Sequence, residues 1–181
     1  MRQLFLLVLL LASAILSAAQ GLSPKAGVVS DGLYTNLYFG MNYKLPAGWI
    51  TSFVATEGTC AKECQLLDMH AADPKSRRSI SLTAEQLANG GGAGVIQDAV
   101  SLEQMGAKKL AGRELSITNR KAYRVDYKTT LADGDVFYTF VMLTVPGKDY
   151  APVFSFSSES RKQLDTLVDE LSKAISFVGQ S

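Results

Sequence analysis

The sequence predicts a single α+β domain, an antiparallel β-sheet covered by helices, which follows a secretory leader. Residues 113–157 form three strand-length runs joined by two short turns, and apolar and polar side chains alternate through residues 115–117 and 122–128, a period of two that is typical of β-strands. Residues 161–177 instead carry apolar side chains at helical spacing. Helical segments lie between and after the antiparallel runs, which favours α+β over alternating βαβ units.

The first 19 residues have the three parts of a secretory signal peptide. Arg2 is basic, residues 4–16 form an apolar run, and small residues fill positions 17–19. The apolar run is shorter than the roughly 20 residues that a membrane span needs. We therefore expect cleavage between Ala19 and Gln20, and export to the periplasm or the extracellular space.

The charge balance of the exported chain argues against one class of partner. Once Arg2 is removed with the leader, 17 Lys and Arg residues balance 17 Asp and Glu residues. A nucleic-acid-binding protein would carry a basic excess, usually concentrated on one face. We therefore predict that the protein has no nucleic-acid partner.

After the leader, residues 20–32 are rich in small side chains and are predicted to be a flexible lead-in to a domain over residues 33–178. Residues 34–37 and 41–44 are predicted to form two short strands around a turn. Trp49 is the only tryptophan in the chain. It is interpreted as a core anchor at one end of the sheet, with a role in partner binding as the alternative.

The middle of the chain is predicted to hold two strands, two helices and a glycine-rich link. Thr83 and Gln86 fit a capping box, which predicts a short helix that begins directly after Thr83. The glycines of the link do not have the spacing of a dinucleotide fingerprint or a P-loop, so the link is interpreted as a flexible connection or lid. The predicted segments are strands 66–72 and 77–82, helix 84–88, link 89–94 and helix 93–105.

Three further signals define the C-terminal half. Asp133-Gly134 between two β-rich runs predicts a hairpin. The next run, residues 136–145, is apolar on both faces, which is typical of a central strand that is covered on both sides. Residues 153–156 are predicted to form one more strand, and the final helix, residues 161–177, begins at a second capping box of Ser160 with Gln163.

Several of these segments together resemble a known superfamily. They are Leu-Pro-x-Gly-Trp at residues 45–49, Asn-Arg-Lys-Ala-Tyr-Arg-Val-Asp-Tyr at residues 119–127, and a last helix ending in Ile-Ser-Phe at residues 175–177. The pattern, over residues 33–178, resembles PsbP and the Ran-binding Mog proteins, and most closely the exported bacterial members of that group. The resemblance implies an α/β/α sandwich, a non-catalytic role in protein binding or complex assembly, and no cofactor.

The two cysteines, Cys60 and Cys64, depart from the pattern of that superfamily. A disulfide is the first interpretation, because disulfides persist in exported proteins. The alternative is a metal or thiol-redox site formed by Cys60, Cys64 and His70, since thiolate and imidazole ligands would suit a soft ion such as Cu(I). A third interpretation leaves two free thiols.

No catalytic motif accompanies these residues. His70 is the only histidine, no Gly-x-Ser-x-Gly elbow is present, and acidic residues such as Glu85 fall where turns or helix caps are predicted. We therefore predict that the protein is not an enzyme. Arg77 and Arg78, together with Trp49, are candidates for a surface that contacts a protein partner, and basic pairs of this kind also give weak support to membrane contact.

Overall fold

A computed structural model describes residues 22–55, 58–72, 77–87 and 96–178. The predicted signal peptide, the predicted helix end at Ala88 and the glycine-rich link lie outside the described residues. The strands are β1 (Gly27–Ser30), β2 (Leu33–Asn36), β3 (Met41–Lys44), β4 (Trp49–Val54), β5 (Glu63–Ala71), β6 (Ser79–Gln86), β7 (Lys108–Ile117), β8 (Arg120–Leu131), β9 (Gly134–Leu143), β10 (Tyr150–Ser158) and β11 (Ile175–Phe177), and the helices are α1 (Gln97–Gln104) and α2 (Arg161–Ala174).

The described residues form one domain around a seven-stranded antiparallel sheet. Its strand order is β4-β5-β6-β10-β9-β8-β7, so β10 is central and β4 and β7 are the edges. The predicted Asp133-Gly134 hairpin is confirmed: β8 and β9 pair from Ala122–Leu143 to Leu131–Gly134. Gly134 has φ +131°, a conformation that a residue with a Cβ rarely adopts.

One face of this sheet is covered by α2 and by a second, four-stranded sheet of order β1-β2-β3-β11. The main core lies here. It joins Tyr43 of the small sheet, Phe154 of the large sheet and Leu164 of α2, all of which are buried. The Tyr43 and Phe154 rings meet edge to face, with their centroids 5.2 Å apart. We call this side the core face.

The opposite side, which we call the α1 face, holds a smaller apolar cluster. Ile96 and Ala99 pack beneath α1 against Val125, Phe140 and Val153 of the sheet. The prediction that β9 is apolar on both sides is confirmed, because Val141 belongs to the core-face cluster whereas Phe140 belongs to the α1-face cluster. Because α1 has only eight residues, it covers only part of its face.

The predicted fold class therefore holds in part. The domain is α+β, mostly antiparallel sheet with two helices, but helices do not cover both faces as an α/β/α sandwich requires. A small sheet provides much of the cover on the core face, and one short helix provides it on the other. No helix among residues 22–55, 58–72, 77–87 and 96–178 is long and apolar enough to cross a membrane.

Three local predictions differ from the structure. The segment predicted as a flexible lead-in contains β1, which pairs with β2 from Gly27–Asn36 to Ser30–Leu33. The predicted helix after Thr83 is wrong, because residues 79–86 are strand β6, hydrogen-bonded to both β5 and β10. The last helix ends at Ala174 rather than Phe177, since the final three residues pair with β3.

Candidate functional site

Cys60 and Cys64 lie just before and at the start of β5, and their sulfur atoms lie at disulfide distance, as predicted. Their Cα atoms are 5.4 Å apart. Cys64 is buried and packs in the main core, while Cys60 is partly buried beside it. The closed loop is short, so the disulfide restricts the unfolded chain only modestly, a stabilisation of about 2 kcal/mol. It therefore reinforces one end of β5 rather than the whole fold.

His70 does not join the cysteines. It lies six residues beyond Cys64 on β5, a separation of about 20 Å along a strand. The two residues also point to opposite faces, because Cys64 pairs with Ala84 and His70 pairs with Ser79. No group of three His, Cys, Asp or Glu side chains able to hold a metal ion occurs in the described part of the chain. The geometry gives the metal and thiol-redox hypothesis no support.

His70 is also placed beside serines without forming a catalytic pair. Ser79 lies directly opposite it on β6, but the Ser79 hydroxyl instead shares a 2.7 Å hydrogen bond with the Ser157 hydroxyl. Asp68, two residues before His70, accepts a hydrogen bond from the Ser52 hydroxyl at 3.0 Å. Ser, His and Asp, the residue types of a hydrolytic triad, are neighbours here. The Ser79 hydroxyl and the Asp68 carboxylate, however, form hydrogen bonds with other residues.

The residues predicted to form a partner surface make contacts within their own chain. Trp49 is half-buried against the main core, and the Arg78 guanidinium carbon lies 5.9 Å from its ring centroid. Arg77 forms ion pairs with Asp133 in the β8–β9 hairpin and, at 3.3 Å, with Glu159 before α2. Arg77 thus links three segments of its own chain, which is a structural role that the sequence did not indicate.

Edge strand β4 is the most exposed uncharged segment of the large sheet. Its sequence, Trp-Ile-Thr-Ser-Phe-Val, has no charged residue, and Ile50 and Phe53 are 48% and 45% exposed. A register shift between Thr51 and Phe53 marks a bulge against β5. No strand of the described residues pairs with its outer side. The opposite edge, β7, carries Lys, Arg and Glu side chains.

Beyond β5, which separates it from edge strand β4, the α1 face carries a polar strip on β6 and β10. Ser79 and Ser81 of β6 pair directly with Ser157 and Ser155 of β10, so four hydroxyl groups share one patch of the sheet. They form the floor of a cavity of about 280 Å³, whose walls include α1. The remaining lining residues are Asp98, Ser101, Leu102, Met105, Tyr138, Phe140 and Phe156.

Three carboxyl groups lie near the N-terminal end of α1, close enough to influence one another electrostatically, and one of them, Asp98, also lines the cavity. Glu85 of β6 is only 4% exposed, and its Oε2 accepts a 3.1 Å hydrogen bond from the backbone N–H of Gln97. Glu63 pairs with Glu85 across the strands, and Asp98 lies on α1. Burial, together with the nearby charges of Glu63 and Asp98, raises the pKa of Glu85 to about 7, and burial raises the pKa of both neighbours.

Sequence reasoning missed Glu85 because it assigned that residue to a helix cap. The alternation of Ser79, Ile80, Ser81 and Leu82 in fact continues through Thr83, Ala84 and Glu85. Following that period two for four more residues would have extended the strand. It would also have placed a carboxylate on the same face as the serines.

Comparison with known proteins gives a fold but no close relative. No protein-family model matches the chain, and no curated protein matches it. The solution structure of the cyanobacterial PsbP protein CyanoP from Synechocystis sp. PCC 6803 matches with TM-score 0.58 and 13% identity, covering 83% of this chain and 95% of that one.

A second match comes from yeast. The Ran-binding protein Mog1p of Saccharomyces cerevisiae matches with TM-score 0.50 and 8% identity, covering 77% of this chain and 90% of that one. At these identities the likeness concerns the fold alone. Both proteins belong to the superfamily that the sequence pattern resembles, and the chain therefore adopts the PsbP/Mog-like fold.

Proposed function

We propose that the protein is a non-catalytic binding protein that takes an extended segment of a protein partner onto edge strand β4. The observation that carries this proposal is the contrast between the two edges of the large sheet. Proteins usually protect an edge strand with charged residues, because its unpaired N–H and C=O groups can pair with another chain. β7 has such charges, whereas β4 has none and exposes Ile50 and Phe53.

Strand addition suits this geometry. Backbone hydrogen bonds to the outer side of β4 would supply affinity, and alternate side chains would supply specificity. Ile50 and Phe53 pair with His70 and Asp68, so both lie on the α1 face, where a partner side chain would meet them. The fold does serve protein binding in at least one other case, since Mog1p is described as a Ran-binding protein, although fold alone does not carry function.

A photo-crosslinking amino acid at each edge tests the proposal in the cell that makes the protein. We expect the probe at Thr51 on β4 to yield a defined protein adduct, and the matched probe at Ser116 on β7 to yield none. Adding Phe53→Lys should abolish the adduct, because a charge on an edge strand opposes pairing. Ser116→Lys should leave the adduct unchanged.

Two results would contradict the β4 assignment. One is equal adduct formation at both edges, and the other is an adduct at Thr51 that persists with Phe53→Lys. Thermal unfolding of each variant serves as the control, because exposed substitutions of this kind usually change stability by about 0.5 kcal/mol or less.

We also propose that this binding takes place outside the cytoplasm, in the cell envelope. Residues 1–19 have the composition of a secretory leader, and the Cys60–Cys64 disulfide is of the kind that persists in oxidising compartments. The intact mass of the mature protein should correspond to a chain beginning at Gln20, with both cysteines resistant to alkylation until a reductant is added. A mass that retains the leader, or thiols that react without reduction, would contradict export.

A further inference from the structure

One end of the large sheet collects positive charge. β6, β7 and β9 end there, and β5, β8 and β10 begin there. Backbone hydrogen bonds join the segments at this end, because the Thr144 N–H donates to the Lys121 carbonyl at 2.9 Å and the Gln86 N–H donates to the Lys62 carbonyl at 2.7 Å. We call residues 60–62, 118–121 and 144–149 the basic end.

The basic end holds four cations and one acid. The whole chain has 18 Lys and Arg residues against 17 Asp and Glu residues, so this surplus is local to one end of the fold. None of the four cations takes part in a described ion pair. The cations are Lys62, Arg120, Lys121 and Lys148, and the acid is Asp149.

Two exposed aliphatic side chains of the small sheet lie beside the basic end. Leu37, in the turn between β2 and β3, is 61% exposed, and Val178, directly after β11, is 69% exposed. Gly40 connects their backbones: its N–H donates to the Leu37 carbonyl at 3.3 Å, and its carbonyl accepts from the Val178 N–H at 2.8 Å. The two side chains therefore belong to one region of the surface.

A cation lies next to each of these aliphatic residues. The guanidinium carbon of Arg120 is 3.9 Å from the ring centroid of Phe177, the residue before Val178. The Nζ atom of Lys148 is 4.7 Å from the ring centroid of Tyr38, the residue after Leu37. Cationic and exposed apolar groups thus alternate over this part of the surface.

This combination favours a lipid surface over an acidic protein. Peripheral membrane binding adds the insertion of apolar side chains to the electrostatic attraction of anionic headgroups. Tyr38 contributes an amphipathic ring of the kind that is enriched at membrane interfaces. An acidic protein would account for the four cations alone, whereas an anionic bilayer accounts for the cations and for the two exposed aliphatic side chains.

We infer that the basic end docks on an anionic lipid bilayer, where Leu37 and Val178 enter the headgroup region and the four cations face lipid phosphates. This surface is separate from Arg77 and Arg78, which precede β6 at the opposite end of the sheet. The inference is also independent of strand addition at β4. Because strands of the large sheet end at the basic end, the docked sheet would stand upright on the bilayer and leave the outer side of β4 open.

Sedimentation of the exported protein with phosphatidylglycerol vesicles tests the electrostatic part of this inference. We expect binding to these vesicles and none to vesicles of phosphatidylcholine. Each Lys or Arg near an anionic surface contributes about fivefold in affinity, so Lys62→Gln combined with Lys121→Gln should weaken binding by about 25-fold. The control is Lys44→Gln combined with Lys162→Gln, the same charge change at exposed positions at the far end of β3 and the start of α2. It should leave binding unchanged.

Leu37→Ser tests the apolar part. Each methylene group that enters the bilayer contributes about fourfold in affinity, so this variant should bind phosphatidylglycerol vesicles about tenfold more weakly or worse. Leu131→Ser provides the control, because Leu131 is an exposed leucine in the β8–β9 hairpin at the opposite end of the sheet. Raising the salt concentration from about 10 mM to about 1 M shortens the Debye length from about 30 Å to about 3 Å and should weaken binding of the unmodified protein by about 100-fold.

Several results would overturn the inference. They are no sedimentation with phosphatidylglycerol vesicles at about 10 mM salt, equal sedimentation with both lipids, and an effect of the Lys62 and Lys121 changes no larger than that of their control. A Leu37→Ser variant that binds as tightly as the unmodified protein, while the charge variant is weakened, would also overturn it. That pattern would mean that the surface is purely electrostatic and fits an acidic protein instead of a bilayer.

Discussion

Replacing Arg124 with alanine is expected to lower the free energy of unfolding by about 3–5 kcal/mol, the usual cost of removing one member of a buried ion pair. Arg124 is 3% exposed. Its Nε donates to Asp126 Oδ1 at 2.7 Å, and its second guanidinium nitrogen donates to Asp165 on α2 at 2.5 Å. The substitution leaves the Asp126 carboxylate buried without its cation, and it removes the ion pair between the sheet and α2.

Urea unfolding followed by circular dichroism measures this loss. The matched control is Arg113→Ala, because Arg113 lies directly opposite Arg124 on β7 but is exposed. That variant should change stability by no more than about 0.5 kcal/mol. If Arg124→Ala cost no more than the control, the buried pair would not be part of what holds α2 to the sheet.

Phe154→Ala is expected to produce a loss of similar size, about 3–5 kcal/mol, by leaving a cavity at the centre of the main core. Phe154 lies on the central strand β10 and is completely buried. Its ring contacts Tyr43 of the small sheet at 5.2 Å and stacks with Phe156 at 6.4 Å between centroids. The substitution therefore weakens the contact between the two sheets as well as the core itself.

Differential scanning calorimetry should show the melting temperature of Phe154→Ala reduced by about 6–20 °C, since each kcal/mol corresponds to about 2–4 °C in a chain of this length. Phe53→Ala provides the control, because it removes the same side chain from an exposed strand. It should leave the melting temperature nearly unchanged. Equal shifts in the two variants would mean that Phe154 does not anchor the core.

Features that repeat within a few residues could be predicted from the sequence. The alternation along β8 and β9 and the Asp133-Gly134 turn predict a hairpin, which the structure has. The two-sided apolar pattern of β9 predicts cover on both faces, and both clusters use that strand. The stripe of α2 predicts a helix against the core. In each case the periodicity within the element itself shows which of its faces packs against the rest of the fold.

Features that depend on distant pairing could not be predicted in this way. Residues 175–177 continue the pattern of α2 but pair with β3, more than 130 residues earlier in the chain. Thr83 and Gln86 have the signature of a helix start, yet two neighbouring strands hold them in β6. The alternation of β8 also predicted one apolar face, whereas the polar face buries Arg124 and Asp126 beneath α2.

The candidate site depends still more on topology. The strand order of the sheet makes β4 an edge strand. The six residues of β4 do not indicate that position. The cavity exists because β6 and β10, about 70 residues apart, place their serines side by side. The sequence search for chemistry concentrated on the cysteines and on His70, while the buried Glu85 went unrecognised, since its burial arises from three separate elements.

The unequal edges of the large sheet also limit how far the molecule can assemble. A heterologous head-to-tail contact repeats indefinitely, whereas a contact between two identical patches closes on itself. β7 carries charged residues, whereas β4 has none. Once a partner strand pairs with β4, the large sheet therefore has no second uncharged edge with which another chain could pair. If a partner strand adds to β4 as proposed, the addition would therefore stop after one event and give a pairwise complex.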